Sequence, residues 1–146
     1  MAAALSESQA GKSIGEVYSE LQGLIETPFL SPQTFQWSRL GRGQWTLFSA
    51  MSHGRTMRVL PSILEEMGGD DTRVIDLSGD FRLDSPEKYQ RYYGVEHSRP
   101  DWLERFVYGL PEFHRKGIQA TRFVSNPGCF ATAAQLALLP LAGFEK

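Results

Sequence analysis

A chain of 146 residues, 41% of them hydrophobic, is long enough for one domain with a core and too apolar for global disorder. Its net charge of -2 gives no electrostatic basis for binding nucleic acid or an anionic membrane, and no apolar run approaches the roughly 20 residues that cross a bilayer. The start, Met1-Ala2-Ala3-Ala4-Leu5, lacks the basic and long apolar parts of a signal peptide, and the single cysteine, Cys129, excludes an internal disulfide, so a cytoplasmic location is expected.

Residues 14–21 mix apolar and polar side chains irregularly, and a short helix with Val17, Tyr18 and Leu21 on one side is expected. Pro28, Pro32 and residues 36–43 read as loop, with Gly41 and Gly43 as breakers. Trp45 to Met51 is a continuous aromatic and apolar run flanked by glycines, the pattern of a strand buried in a parallel sheet. After the turn Ser52-His53-Gly54, the residues Val59, Leu60, Ile63, Leu64 and Met67 recur at helical spacing. Pro61 is expected in the first turn of that helix, where a missing N–H breaks no bond, and Gly68-Gly69 ends it. Val74-Ile75-Asp76-Leu77 is the next strand, so a βαβ unit with parallel pairing is predicted.

Ser85-Pro86-Glu87 opens a short helix with serine as N-cap, proline at the first position, and Tyr89, Tyr92 and Tyr93 on its apolar side. A second short helix is expected over residues 101–106. Arg122-Phe123-Val124-Ser125 is the final strand, and it feeds a turn, Asn126-Pro127-Gly128-Cys129, that opens a helix running to Leu139. The fold class is α/β.

Ligands of open parallel sheets sit outside the carboxyl ends of the strands. That rule selects Ser52-His53-Gly54, Ser78-Gly79-Asp80 and the Cys129 turn. A thiol opening a helix meets unpaired N–H groups and a partial positive charge, which suit a nucleophilic thiolate; the alternative is a small apolar core residue. Two other signals fail. Gly11-Lys12-Ser13 resembles the end of a phosphate loop, but Ser6 stands where the first glycine is required and no apolar strand precedes it. Gly41-Arg42-Gly43 lacks a third glycine and precedes a strand. With one cysteine and three dispersed histidines, no metal site is expected; His97 reads as a solvated loop residue and His114 as surface.

Three blocks carry a family resemblance: Val74 to Leu83, Tyr108-Gly109-Leu110-Pro111-Glu112, and Ser125 to Ala133. In residues, order and spacing they closely resemble N-acyl-γ-glutamyl-phosphate reductase, the NADPH-dependent enzyme of arginine biosynthesis, from about Leu5 to Lys146. Aspartate-semialdehyde dehydrogenase is a weaker match. The resemblance implies an incomplete doubly wound, Rossmann-like parallel sheet, with residues 1–124 as part of an NADP-binding domain. Residues 125–146 would be the cysteine turn and the start of a second, substrate and dimerisation domain. It further implies a fragment lacking the glycine fingerprint and catalytic histidine of the family, inactive alone, and a homo-oligomer when full-length.

Residue by residue, the resemblance makes Cys129 the catalytic nucleophile toward an N-acyl-glutamyl phosphate. Arg82 would hold the substrate phosphate, or else form an ion pair with Asp80 or Asp84. Asn126 would orient the substrate or the turn, or else cap the helix. Ser6, Ser8, Gly11 and Lys12 match a segment that meets the adenosine ribose and its 2′-phosphate, or else form a solvated tail. His53, Gly54 and Ser78 would lie at the cofactor. Two departures stand out: Ser52 replaces a usual proline, and Phe130 replaces a common tyrosine, which leaves N-acetyl and N-succinyl substrates both open. A non-catalytic remnant and a cysteine-dependent acyl hydrolase using His53 or His114 remain as alternatives.

Overall fold

A computed structural model of the chain describes residues 3–41, 43–68 and 71–142. Met1, Ala2, Arg42, Gly69, Asp70 and the last four residues, with the expectations attached to them, lie outside the described residues. Two compact units are formed, Met1–Arg39 and Leu40–Lys146.

In the first unit, strand β1 (Ala4–Leu5) pairs in parallel with β2 (Phe29–Leu30). A strand therefore does precede the segment 6–12, against expectation; two residues are too few for any periodicity to show. Helix α1 (Ile14–Val17) starts on a reciprocal cap, in which Ser13 Oγ accepts from the Glu16 amide at 3.1 Å and the Ser13 amide donates to Glu16 Oε2. The predicted helix over 14–21 breaks at Tyr18, which is extended, before a 3-10 turn over Ser19–Leu21. The chain turns back here because the Ile14 and Gly15 amides donate to Thr27 and Ile25 carbonyls at 2.9 and 3.0 Å. Gly15 permits that approach: a Cβ on it would lie 3.1 Å from the carbonyl oxygens of Leu21 and Ile25.

The second unit holds a four-stranded, all-parallel sheet in the order β3 (Thr46–Ser49), β4 (Arg73–Asp76), β6 (Phe123–Ser125), β5 (Val107–Tyr108). The register puts Ser49, Asp76, Ser125 and Tyr108, the last residues of the four strands, in one row. Every following turn therefore leaves the sheet on the same edge, as expected of an α/β fold.

Helix α2 (Thr56–Glu66) contributes Met57, Leu60 and Leu64 to the core, where they meet Val74, Phe81, Tyr89 and Phe123. Phe81 stacks on Phe106 with centroids 4.1 Å apart. Pro61 is the sixth residue of α2 and buried, not in the first turn as predicted. The helix begins further upstream because its first amides find a carboxylate from another element, described below. Gly68, at φ +66, ends it as expected.

β3 is an edge strand with Phe48 65% exposed, so the expectation of a fully buried strand fails. Apolar content alone does not distinguish an edge from a centre. Helix α3 (Pro86–Tyr93) starts on Ser85, whose Oγ accepts from the Lys88 amide at 3.2 Å, and stops at Gly94 with φ +73. Tyr89 is wholly buried while Tyr92 faces outward, correcting its placement on the apolar side. A 3-10 helix covers Pro100–Arg105. β5 and helix α4 (Pro111–Ala120) were not legible in the sequence: the strand has two residues, and α4 buries none of its own and leaves helical geometry at His114 (φ -119, ψ 20). Helix α5 (Cys129–Leu138) follows β6.

Candidate active site

The turns after β3, β4 and β6 are tied together by hydrogen bonds. After β4, Asp76 receives the Ser78 amide on Oδ1 at 3.1 Å and the Ser78 hydroxyl on Oδ2 at 2.7 Å, while Ser78 Oγ accepts from the Asp80 amide at 3.1 Å. Burial pushes the Asp76 carboxyl above the ordinary carboxylate range; the Ser78 bonds pull it partly back, and the neighbouring Asp80 charge adds to the rise.

This turn is joined to the one after β3 on two sides. The Gly79 amide donates to His53 Nδ1 at 2.7 Å, so the ring proton of His53 belongs on Nε2. Asp80 receives the Gly54 amide at 2.6 Å and the Met57 amide at 3.0 Å, with Tyr89 Oη as a third donor at 2.9 Å. Gly79 must be glycine: a Cβ there would lie 2.6 Å from Tyr93 Cζ, and that ring packs 5.3 Å from the His53 ring. Gly54 is needed for a different reason, its φ of +80.

Arg82 joins the β4 turn to the β6 turn. Its Nε donates to the Asn126 carbonyl and its Nη2 to the Leu77 carbonyl, each at 2.7 Å. Its Nη1 lies 3.1 Å from where a Cβ on Gly128 would stand. The alternative for Arg82, an ion pair with Asp80 or Asp84, is not formed among the described residues. Asp80 is taken by amides and Tyr89, and Asp84 pairs with Lys88 at 2.7 Å. The Asn126 amide donates to the Asp76 carbonyl at 2.7 Å, continuing the sheet by one residue. Its side chain donates to the Pro127 carbonyl at 3.1 Å and does not cap α5; Gly128 is the N-cap, and no side chain closes the first turn.

Cys129 is exposed at the first position of α5, not sealed in the core. His53, Gly54, Arg82, Asn126 and Cys129 are thus gathered on one edge of the sheet. Ser78 is different: its side chain lies beneath the turn, with both hydroxyl roles filled by Asp76 and Asp80, so it offers a cofactor no free donor. His97 is corrected too. It is buried, donating from Nε2 to the Asp80 carbonyl at 2.8 Å and accepting the Arg99 amide on Nδ1 at 3.2 Å. The sequence shows nothing of this, because both partners are backbone groups. His114 is exposed, as expected.

In the first unit, Ser6 follows β1 directly; its amide donates to the Leu30 carbonyl at 3.0 Å and its Oγ accepts from the Gln9 amide at 3.3 Å. Ser8 is exposed, and Lys12 Nζ donates to Gln9 Oε1 at 3.2 Å. Glu7, between the two serines, accepts from Gln33 Nε2 at 3.1 Å. Sequence reasoning passed over Glu7, although an acidic residue just after a strand is the usual partner of a ribose hydroxyl. No group able to hold a metal ion exists among the described residues, and no described helix is long and apolar enough to cross a membrane.

Residues 1–121 match the semialdehyde dehydrogenase NAD-binding domain family. The chain belongs to this family. It is 40% identical over 136 residues to the N-acetyl-gamma-glutamyl-phosphate reductase of Halorhodospira halophila, covering 93% of this chain and 37% of that protein. It is 38% identical over 137 residues to the putative LysW-L-2-aminoadipate/LysW-L-glutamate phosphate reductase of Picrophilus torridus, covering 94% and 38%. The chain therefore spans little more than a third of the length of these relatives. As a member of this oxidoreductase family, it has a Rossmann-like α/β fold and a nicotinamide cofactor. The residues at the sheet edge fit such a cofactor: His53 Nε2 meets no described partner, and a Cβ on Gly54 would stand in open space.

Proposed function

We propose that this chain supplies the dinucleotide-binding and thiol-bearing part of a reductase that converts a side-chain acyl phosphate of an N-blocked acidic amino acid into its semialdehyde. The observation that carries the reading is the exposed Cys129 thiol at the start of α5, on the edge where the three turns meet. The Cys129 thiolate attacks the acyl carbon, a C–S bond forms, the C–O bond to phosphorus breaks, and inorganic phosphate leaves with the electron pair. Backbone amides of the first turn of α5 steady the oxyanion. Arg82, through the edge of its guanidinium beside Gly128, attracts the substrate phosphate while holding the Leu77 and Asn126 carbonyls. A bound nicotinamide dinucleotide supplies the hydride that reduces the thioester carbon. The resulting oxyanion then re-forms the carbonyl and breaks the C–S bond, which releases the aldehyde and returns Cys129 as thiolate.

The names of the relatives differ in the blocking group, N-acetyl in one and LysW in another, and share a phosphate to be reduced. The proposal accordingly commits to the acyl phosphate and leaves the blocking group open. NADP(H) is proposed over NAD(H), because Ser6, Ser8 and Lys12 follow β1 and Glu7 is engaged by Gln33. Full turnover is proposed for the longer proteins the chain resembles; the step assigned to these residues alone is acyl transfer to sulfur. Hydrolase chemistry has no support in the geometry: His53 turns Nδ1 to Gly79, and His114 lies in α4 beside Tyr108.

Incubation with an N-acyl-glutamyl phosphate should add one acyl group to Cys129, read by intact mass, and release one equivalent of phosphate. Cys129→Ser should lose the adduct and still bind NADPH more tightly than NADH. Phosphate release at an undiminished rate from Cys129→Ser would sink the reading.

A further inference from the structure

We infer that Asp80 is a resident anion at the N-terminus of α2, and that it positions the His53–Gly54 turn for the dinucleotide. Helix N-termini present unpaired amides and a positive dipole end, which commonly receive a ligand phosphate. In α2 one of these amides, that of Met57, is already taken. The N-cap residue, Arg55, makes no side-chain cap. Asp80, arriving from the turn after β4, takes the Gly54 amide on one oxygen and the Met57 amide on the other. The carboxylate is fully buried and held from below by Tyr89 Oη, while the Asp80 carbonyl takes Nε2 of the buried His97. Its amide is fixed in turn by Ser78. Every polar group of Asp80 is thus assigned, with one bond ending on the turn after β3 and another on the first turn of α2.

Two consequences follow. The Gly54 and Met57 amides are taken by Asp80, so neither is open to a phosphate of the dinucleotide. The path of the turn also depends on a residue 26 positions away, which contacts no ligand. Asp80 is therefore a positioning residue that acts through Gly54 and His53.

The dinucleotide arm of the test rests on the proposed function, and a second arm is independent of it. In the isotope-labelled chain, a through-bond coupling between the Gly54 amide nitrogen and the Asp80 carboxyl carbon is expected, and its absence would overturn the inference. Inorganic phosphate at millimolar concentration should leave the Gly54 and Met57 amide resonances unmoved; saturable movement of both would overturn it as well. Asp80→Asn replaces one of the two oxygens with an amide donor that faces the Gly54 or the Met57 amide, so the affinity for NADPH should fall about tenfold. Tyr89→Phe, which keeps both amide bonds, should stay within about twofold. Leu64→Ala, a core truncation away from the turns, should lower stability without changing that affinity. In Asp80→Ala, formate should restore the Gly54 amide resonance and the affinity together, which a general loss of packing would not allow. A folded Asp80→Asn chain with unchanged affinity would overturn the inference and leave the dinucleotide site standing. Failure of the unaltered chain to bind any nicotinamide dinucleotide would overturn the proposed site and the dinucleotide role of Asp80, with the coupling still judging the cap.

Discussion

At the scale of single residues, the sheet edge is built from groups whose partners lie far away in sequence. Asp76 has the clearest consequence. It is wholly buried, and its carboxyl is held above the ordinary value of 3.8 chiefly by the loss of water. The folded state then binds a proton more tightly than the unfolded state, so stability falls as pH rises. The contribution is fully present below the ordinary value and is lost as pH climbs through the raised one. Asp76→Asn cannot ionise. Urea denaturation of both chains from about pH 4 to about pH 7 should show the native chain losing stability relative to the variant, with the difference flattening once Asp76 is ionised. Parallel curves would mean that Asp76 titrates normally. The constant offset between the curves reports the altered bonds to Ser78 and does not enter the argument. Cys129 was legible because its signal is local: a lone thiol, a tight turn, then an apolar helix. The roles of Asp80 and His97 were not, because a side chain that bonds to remote backbone amides and carbonyls leaves no spacing pattern in the chain.

Among the elements, those with end signals were read correctly. Ser85 opens α3 and Gly68 stops α2, each by its own backbone preference. α4 carries only Pro111 at its first position and β5 has no such signal; what fixes β5 is close approach between strands. The Gly109 amide donates to the Ser125 carbonyl at 2.8 Å, and a Cβ there would lie 2.8 Å from Val124 Cγ1 and 3.0 Å from that same carbonyl oxygen. Gly109→Ala should therefore cost about 1–3 kcal/mol, the range for overpacking a tight contact. Combining it with Val124→Ala should recover part of the loss, since the side-chain clash goes and the backbone contact stays. Full recovery, or no loss in the single variant, would show that β5 does not depend on this approach. The misplacement of Pro61 has the same root: the start of α2 is set by Asp80 from outside the helix, so no residue near Thr56 announces it.

For the whole molecule, the family and the parallel sheet were legible because strand, turn and helix alternate with the right residues at the turns. What the sequence hid is how unevenly the apolar surface is covered. α5 buries none of its residues, and Phe130, Leu138 and Leu141 are 89%, 61% and 61% exposed. Singly exposed apolar residues are ordinary, but a helix with an uncovered apolar face is a surface for association. The helix is nevertheless well formed, held to β5 by Gln135 Nε2 donating to Tyr108 Oη at 2.8 Å, and Thr132 Oγ1 donates to the Gly128 carbonyl at 3.0 Å. Association should therefore occur between folded chains and not through unfolding. Sedimentation equilibrium should show self-association that rises with concentration, while the far-ultraviolet spectrum stays constant. Leu138→Lys with Leu141→Lys should shift the chain toward monomer without lowering its urea midpoint, because neither residue belongs to the core around Met57, Val74 and Phe81. Each added charge opposes the close approach that apolar contact requires and leaves the bonds of Gln135 and Thr132 intact. A native chain that stays monomeric at every concentration would show that the exposed face of α5 drives no association.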